Sequence, residues 1–387
     1  MKTLTNLFKS NIRQYGMVLA LIFIMVLFQI ITDGILLKPL NITNLILQNS
    51  YILILAIGML LVIILGHIDL SVGSIVAFVG AMAAVFIIEM GLPVWLSIIL
   101  CLLIGALIGA WHGFWVAFLK IPAFIVTLAG MLIFRGLTML VLDGQSLAPF
   151  PESFRQMSTG FIPGLNKTGD LDILTMIVGV VISLILVWSE LRKRKKQQSY
   201  NFEVLPMWLF GLKLAFIVAV MNIFAYFLAS YEGIPNILVI LVVLFVAYSF
   251  FTNKTVPGRH LYALGGNEKA AKLSGIKTKW LTFWVFVNMG VLAALSGLIF
   301  AARLNAATPK AGNSFELDAI AAVFIGGASA YGGIGTVIGA VVGGLVMGVL
   351  NNGMSLIGLG VDYQQTIKGL VLLLAVGFDV YNKNKSS

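Results

Sequence analysis

Five ionisable side chains stand inside stretches that are otherwise apolar, and they are the residues best placed to do chemistry in this chain. They are Asp69, Arg135, Glu316, Asp318 and Lys368. Because a charged group at the centre of a membrane helix costs at least about 2.5–3.5 kcal/mol, each one is a functional candidate. Helix capping competes with this role for the acids, since Asp69 precedes one apolar helix and Asp318 precedes another. Arg135 would pair with one of these carboxylates or snorkel to the interface.

Amide and hydroxyl groups in the same apolar stretches suit contact with a neutral, hydroxyl-rich cargo. Together with three of the acids they give the predicted substrate pathway: Asn49, Asp69, Ser71, Asn288, Glu316, Asp318, Asn352 and Gln364. The same side chains could instead bond neighbouring helices, and the sequence favours neither reading. If Asp69 and Glu316 bound a coupling ion, the chain would be an ion-driven secondary transporter.

Catalytic, metal-binding and nucleotide-binding motifs are missing from the sequence. Its three histidines, His67, His112 and His260, lack a Glu or Cys at ligand spacing, so we expect no metal centre. The pattern G-x-x-x-x-G-K-[ST], which cradles the phosphates of ATP, does not occur. We therefore expect a protein that is not an enzyme and holds no cofactor; if ATP drives it, a separate subunit must bind the nucleotide.

Composition places the chain in a bilayer. Hydrophobic residues make up 60% of its 387 residues, charged residues 10%, and the mean hydropathy is +1.02. Soluble domains have roughly 45–50% apolar and 25% charged residues. The net charge of +10 comes mostly from a few loops and the two ends, which is the pattern of membrane orientation and argues against nucleic-acid binding. We predict an all-α polytopic membrane protein, and its single cysteine, Cys101, excludes an intrachain disulfide.

Residues 252–280 form a polar, basic segment that sets the predicted topology. The positive-inside rule places this segment in the cytoplasm. Pro257-Gly258 predicts a turn, Gly265-Gly266-Asn267 predicts a second break, and residues 268–274 predict a short helix that ends at Gly275. A short cytoplasmic helix between two spans suits docking of a soluble partner, although a plain linker would have the same composition.

Apolar runs between these landmarks predict ten to twelve crossings in a single transmembrane domain. We divide it into a first half (1–190), a basic insert with extra helices (191–251), the cytoplasmic segment (252–280) and a second half (281–387). A span ends at Trp188, and RKRKK at residues 192–196 is the strongest inside signal. Residues 319–327 are too few for the roughly 20 of a full span, but the basic C-terminal tail argues that they reach through, as a tilted or broken helix extended by residues 316–318. The basic segment 1–15 would lie along the headgroups.

An internal sequence similarity relates the two halves. Residues 68–81, IDLSVGSIVAFVGA, are similar to residues 315–328, FELDAIAAVFIGGA. Because the first motif begins near the inner side and the second near the outer side, the halves would be inverted repeats about a common midplane. Chance similarity among helices rich in Gly, Ala and Val is the competing explanation. Spacings that predict close helix packing occur at Gly105/Gly109, Gly339/Gly343 and Gly344/Gly348.

Three segments resemble the permease subunits of bacterial monosaccharide ABC importers, the ribose, galactose and xylose group. They are IDLSVGS (68–74), YALGGNEKAAKLSGI (262–276) and ELDAIAAVFIGGASAYGGIGTVIGA (316–340). IVTLAGMLIFRG (125–136), NNGMS (351–355) and the basic insert are similar to the xylose-type branch. The likeness covers nearly the full length. His67 departs from it, since an acid or a small polar residue would be expected before the IDLSVGS core.

The resemblance implies an inner-membrane permease with a fold like that of the vitamin B12 importer, working by ATP-driven alternating access on xylose or a related sugar. The implied partners are an ABC ATPase subunit that carries ATP and Mg²⁺, an extracytoplasmic sugar-binding protein, and a second permease copy, in a homodimer or as paired permeases. Permeases for branched-chain amino acids or nucleosides share the general architecture and stay open as alternatives. Docking on the ATPase would involve Gly265, Gly266, Asn267, Glu268, Ala271, Ser274 and Gly275.

Overall fold

The computed structural model describes residues 12–164, 167–168, 171–202 and 204–386, and this part of the chain is predominantly helical. The strands found in it are β1 (Lys167–Thr168) and β2 (Leu171–Asp172), which pair antiparallel. The predicted all-α, polytopic membrane fold is confirmed, while the likeness to the vitamin B12 importer stays a prediction. Most of the predicted headgroup segment, residues 1–11, lies outside the described residues.

Nine helices in the described part are long and apolar enough to cross a bilayer. They are α2 (Pro39–Ile64), α3 with the π-helical turn that continues it (Val72–Glu89), α4 (Val94–Ala117), α5 (Ala123–Val141), α7 (Ile173–Ser199), α8 (Met207–Ala229), α9 (Asn236–Lys254), α12 (Thr278–Leu304) and α14 (Val337–Leu356). The others are α1 (Ile12–Ile31), α6 (Glu152–Thr159), α10 (Val256–Gly266), α11 (Glu268–Leu273), α13 (Phe315–Ile325) and α15 (Val361–Ser386). Length and composition do not say which of these others cross, so the count of ten to twelve stays a prediction.

The described residues form two compact units, one made of 12–36, 45–159 and 237–386, the other of 37–44 and 160–236. The predicted division at residues 190, 251 and 280, the single domain and the inverted halves are not tested by this and stay predictions. In the first unit α12 is a central helix, because 72% of its apolar span is buried in the chain, against 28% for α4 and α5. A helix that is apolar all round belongs in such an interior.

Glycine spacings bring helices of the first unit into direct backbone contact. A Cβ at Gly105 would overlap the carbonyl oxygen of Gly290, and one at Gly109 would overlap that of Phe286, so α4 and α12 meet without intervening side chains. A Cβ at Gly343 would overlap the carbonyl oxygen of Ala322, which joins α14 to α13 in the same way. The predicted close packing at these spacings is confirmed, and small residues allow it in membranes where the hydrophobic effect does not drive association.

The second unit is built on the contact between α7 and α8. Gly179 leaves room for Ala225, and Asn222 donates to Ser183 Oγ at 2.9 Å. Near the other end of the pair, Lys213 Nζ lies 2.6 Å from Glu190 Oε2. The two helices are therefore held together along their length, by close apolar packing and a hydrogen bond in one part and by an exposed ion pair in another.

The basic run at residues 192–196 belongs to α7 itself, because the helix runs on to Ser199, about three turns beyond Trp188, where the apolar span was predicted to end. The guanidinium of Arg192 lies 3.7 Å from the ring centroid of Trp188, a cation–π contact that favours continuing the helix into the basic stretch. A change of polarity marks where a helix leaves the apolar layer and does not by itself end the helix, so the predicted end of the span is compatible with a longer helix.

α13 is a half-length helix. It begins at Phe315 and includes residues 316–318 in its first turn, as predicted, but its 11 residues extend only about 16 Å. The hydrocarbon core is about 30 Å thick, so this helix alone is too short to span it, as the sequence indicated. The prediction that residues 319–327 reach through as a tilted or broken helix stays a prediction. Gly327, with φ +81°, turns the chain away from the helix axis.

Candidate coupling surface and substrate pathway

Residues 252–280, which were predicted to be cytoplasmic, consist of helices where the sequence suggested a turn. Thr255 caps α10, and its Oγ1 accepts a hydrogen bond from the amide of Gly258 at 3.1 Å. Pro257 lies in the first turn of α10, where its missing N–H costs nothing because the first amides of a helix have no intrahelical partner. The predicted turn at Pro257-Gly258 is therefore wrong, since Pro and Gly here begin a helix.

The short helix at residues 268–274 is confirmed as α11. Asn267 breaks the chain with extended backbone angles, and its Oδ1 accepts from the amide of Ala270 at 3.0 Å, a standard N-cap. Gly275, with φ +84°, follows the last turn, as expected of a glycine that ends a helix. The residues that begin and end α11 are thus its immediate neighbours in the sequence.

The two faces of α11 differ in exposure. Ala271 is buried, so it seats the helix on the protein and does not offer the contact with a partner that was predicted for it. Leu273 is 89% exposed, and Glu268 and Ser274 are also exposed. An apolar side chain that fully exposed on a polar helix is the feature most readily explained by a partner, and it was missing from the predicted docking residues.

Gly265 and its neighbours hold the segment on the end of α2. The amide of Gly333 donates to the carbonyl of Ile64 at 2.8 Å, and a Cβ at Gly265 would overlap both groups. Tyr262 donates its hydroxyl to the carbonyl of Gly335 at 2.8 Å, and burial raises the pKa of that phenol. Gly266, by contrast, has open space where its Cβ would be. The segment is therefore anchored at Gly265, and Gly266 is free to face a partner.

His67 lies just beyond α2 and within the electrostatic influence of Glu268 on α11. Burial lowers the pKa of His67, and the carboxylate of Glu268 opposes that shift. The imidazole is half-buried, and it lies between the end of α2 and the start of α3. This is the position at which the chain departs from the resemblance noted above.

Asp69 and Ser71 satisfy one another before α3 begins. Asp69 Oδ1 accepts from the amide of Ser71 at 2.9 Å and from its hydroxyl at 2.5 Å. Both side chains are buried. Asp69 is thus bonded within the turn that precedes α3, while Ser71, at the N-cap position, makes no side-chain capping hydrogen bond, so helix capping by these two predicted pathway residues is not observed.

Asp318 is held by a cation from another helix, and Glu316 lies within the electrostatic influence of a second cation. Lys368 on α15 lies 3.0 Å from Asp318 Oδ1 and donates to Oδ2 at 3.2 Å. Arg135 on α5 interacts electrostatically with Glu316 and donates to the carbonyl of Ala311 at 2.6 Å. Gly73 on α3 leaves the space that Glu316 Oε2 occupies. Of these two acids, only Asp318 forms an ion pair in the described part of the chain, and Glu316 Oε2 has no hydrogen-bond partner there. The predicted pairing of Arg135 with a carboxylate therefore stays a prediction.

The predicted amides lie in separate places. Asn49 is buried, donates to the carbonyl of Leu45 at 2.9 Å and touches the position of Gly348. Asn352 is buried as well. Gln364 is half-buried and donates to the carbonyl of Leu359 at 2.8 Å. These three act within or between helices, so the structure does not gather them with Asp69 into one continuous polar route.

Asn288 is the predicted pathway residue that borders a cavity. Its Oδ1 accepts a hydrogen bond from the hydroxyl of Tyr248, and both line a mostly apolar cavity of about 870 Å³. Trp284 and Phe251 add aromatic faces to the same wall. Aromatic faces beside one amide are groups that a sugar ring can use, so this cavity is the part of the predicted pathway with room for a small molecule.

Tyr51 is a residue that sequence reasoning missed. It lies stacked on Phe315 with ring centroids 3.9 Å apart, and it interacts electrostatically with Asp318 and Arg303. A tyrosine in an apolar helix gives no sequence signal of its own, and only the fold brings it to the acids of α13.

Among the residues that the structure describes, no three His, Cys, Asp or Glu side chains converge as a metal ligand set would.

Comparison with known proteins identifies similar chains across nearly the whole length. A family model described as branched-chain amino acid transport system / permease component matches residues 41–376. The xylose transport system permease protein of Haemophilus influenzae is 41% identical over 375 residues, 97% of this chain and 98% of that protein. Its Escherichia coli K12 counterpart is 39% identical over 97% of this chain and 94% of that protein. The ribose import permease protein of Bacillus subtilis is 38% identical, over 92% and 90%. No solved structure matches the chain.

Proposed function

Because this chain belongs to the family of permease components that its residues 41–376 match, we propose that it is the membrane subunit of an ATP-driven importer for a monosaccharide, xylose or a related sugar. Membership makes it a multi-pass inner-membrane transport protein that is not itself an enzyme. Full-length identity of 39–41% to two permease proteins named for xylose transport carries the choice of cargo.

The proposed partners follow from the surfaces of the chain. α11 and its exposed Leu273 would dock on a separate ABC ATPase subunit, which binds ATP and Mg²⁺, since this chain has no nucleotide motif. An extracytoplasmic sugar-binding protein would deliver cargo to the opposite side. A second permease copy, in a homodimer or as a paired permease, would complete the membrane part.

Movement of the ATPase would reach the membrane through the contacts of Gly265. A push on α11 passes to the end of α2 and to Gly333, because their backbones touch Gly265 with no side chain between them. Packed elements that are bistable rather than continuously deformable turn such a push into a change of helix arrangement. In this proposal the helices rock so that the pathway opens to one side at a time.

The possible cargoes can be distinguished by whether each one stimulates ATP hydrolysis by the assembled importer. We would reconstitute the permease with its ATPase and its binding protein and measure ATP hydrolysis while adding xylose, ribose, leucine or a purine nucleoside. We expect xylose or a related pentose to stimulate hydrolysis. The family description names branched-chain amino acids, so stimulation by leucine alone would overturn the choice of a sugar.

Ion-driven transport is the competing mechanism, with Asp69 and Glu316 as its candidate coupling carboxylates. Asp69 is bonded by Ser71, which disfavours ion binding there, whereas Glu316 Oε2 has no hydrogen-bond partner among the described residues. Uptake into vesicles that contain ATP and have collapsed ion gradients distinguishes the two mechanisms. We expect transport to persist, and loss of transport under those conditions would favour the ion-driven mechanism.

A further inference from the structure

A second cavity, of about 900 Å³, opens beside α11 and is strongly basic. Its wall comes from the end of α2, the turn between α4 and α5, α11 and the start of α12, all of them in the first unit. Five lysines from three of these elements line it, against one carboxylate, Glu268: Lys120, Lys269, Lys272, Lys277 and Lys279. We refer to it as the lysine cavity.

The charges of the lysine cavity are not compensated by the protein. Within the described part of the chain, none of the five ammonium groups forms an ion pair with a carboxylate. Five positive charges and one negative charge leave a net charge of about +4 around one space, and like charges on a shared surface repel. Burial lowers the pKa of His67, so this sixth basic group favours its neutral form. An anion in the cavity would relieve the repulsion.

Two exposed aromatic side chains in the wall of the lysine cavity indicate the surroundings from which an anion could enter. Phe124 is 57% and Trp280 51% exposed, and both border the cavity at the ends of α5 and α12 that the positive-inside rule places at the cytoplasmic interface. Tryptophan at the end of a membrane span is typical of the level of lipid headgroups. We therefore expect the cavity to lie at the headgroup level on the side of the cytoplasm.

We propose that the lysine cavity is a binding site for a phosphate group. Lysine binds phosphate as a compact point charge, through charge-assisted hydrogen bonds that are stronger than neutral ones. The group would belong either to an anionic phospholipid headgroup or to a soluble phosphate ester. Because two of the lysines stand on α11, the bound phosphate links α11 to α12 and to the turn between α4 and α5. This site does not depend on which cargo the importer carries.

Binding is measured on the full-length permease, with three probes. Inorganic phosphate and glycerol 3-phosphate are titrated calorimetrically against the protein in phosphatidylcholine nanodiscs, which supplies the soluble source alone. Native mass spectrometry then compares retention of phosphatidylglycerol and phosphatidylcholine on the delipidated protein. Saturable binding of the soluble probes, or selective retention of one phosphatidylglycerol per chain, is the expected result, and which of the two occurs names the source.

Three variants separate this site from a general effect of positive charge. Replacing Lys120, Lys277 and Lys279 by Gln together should weaken binding at least tenfold. The matched control replaces Lys193, Lys195 and Lys196 on α7 by Gln, which removes the same charge elsewhere and should change binding less than twofold. Glu268→Gln removes the one acid of the cavity and should tighten binding, an increase that misfolding does not produce.

Two outcomes overturn the proposal. One is an equal loss of binding in both triple variants, which would show only diffuse attraction of anions to a basic protein. The other is a chain that binds none of the phosphate probes but binds a glutamate-rich peptide in a way that depends on the cavity lysines. The cavity would then be a contact for an acidic protein segment.

Discussion

Two short helices, α11 and α13, both begin with acidic residues, but the acid of α11 lies in an exposed environment and those of α13 in a largely buried one. Each has acids in its first turn, Glu268 in α11 and Glu316 and Asp318 in α13. Acids at that position are favoured by the helix dipole in any setting. In α11 the acid is exposed and the end of the helix presents Leu273. In α13 Asp318 is buried and paired with Lys368 from another helix.

The difference shows that the role of a charge is set by what faces it. An exposed acid is available to a partner and contributes little to folding, whereas a buried acid is costly until a cation compensates it. α11 is fixed by its own cap and by the buried Ala271, next to the backbone contact of Gly265 on α10, so it can transmit a push. α13 is fixed by the ion pair between Asp318 and Lys368 on α15, so it holds the arrangement together. Mutations in the two helices should therefore affect different properties.

The largest effect is expected at the buried pair. Lys368→Met leaves Asp318, which is almost fully buried, with no cation, and breaking a buried pair costs about 3 kcal/mol in the free energy of unfolding. Removing both charges with Asp318→Asn and Lys368→Met should recover most of that loss. Thermal unfolding of the detergent-solubilised protein, followed by circular dichroism, measures it.

The matched control for Lys368 is Lys213→Met at the exposed pair with Glu190, which should cost less than about 1 kcal/mol. If both single substitutions lowered the unfolding temperature equally, Asp318 would not depend on Lys368, and the contrast between α13 and α11 would lose its main support.

The next effect compares adjacent glycines at the base of α11. Gly265→Leu must displace the backbone at Ile64 and Gly333, so we expect about 2 kcal/mol of destabilisation. Gly266→Leu meets open space and should leave the stability within about 0.5 kcal/mol, while its side chain blocks the approach of the ATPase and uncouples hydrolysis from transport. Unfolding temperature and sugar-stimulated ATP hydrolysis together separate the two variants. Equal destabilisation by both would show that Gly265 is not the anchor.

A smaller effect is expected at the exposed tip of α11. Leu273→Asp changes a side chain that is 89% exposed, so folding should be unaffected, while co-purification with the ATPase should weaken about tenfold because an apolar contact is replaced by a charge. Glu268→Lys should weaken coupling in the same direction. Tyr200→Asp, also at an exposed apolar residue, is the control and should leave the complex intact. Normal affinity in the Leu273 variant would remove α11 as the docking helix.

The contrast between these helices also marks how far sequence reasoning reaches. The limits of α11 were predictable because Asn267 and Gly275 act on their own neighbours in the chain. The start of α10 was misread because Pro257 fits a turn and a first helical turn equally well. Gly265 and Gly266 are indistinguishable in sequence, since only the distant backbone of Ile64 and Gly333 makes one of them essential.

Partners that are far apart in the chain were out of reach for the same reason. Arg135 and Lys368 were recognised as intramembrane charges, but a sequence does not say which carboxylate each one faces. Tyr51 gave no signal, because a tyrosine in an apolar helix is an ordinary residue there, and Leu273 was recognised only as one of the residues that, with Ala270 and Ala271, would give the short helix a smooth face. What made each of them notable is exposure or proximity, and those belong to the fold.

The smallest effect concerns His67, which lies between the end of α2 and the start of α3. Burial lowers the pKa of His67 below its unfolded value of about 6.5, so only the unfolded chain binds a proton as the pH falls below that value. The neutral His67 therefore makes its full contribution to the free energy of unfolding above pH about 6.5. This contribution is lost as the pH falls towards the pKa of His67 in the folded chain. Since the carboxylate of Glu268 raises the pKa of His67, Glu268→Gln should lower it further. Histidine NMR resonances, assigned with His67→Asn, measure the shift, and an unchanged pKa would show that α11 and the end of α2 are not electrostatically connected.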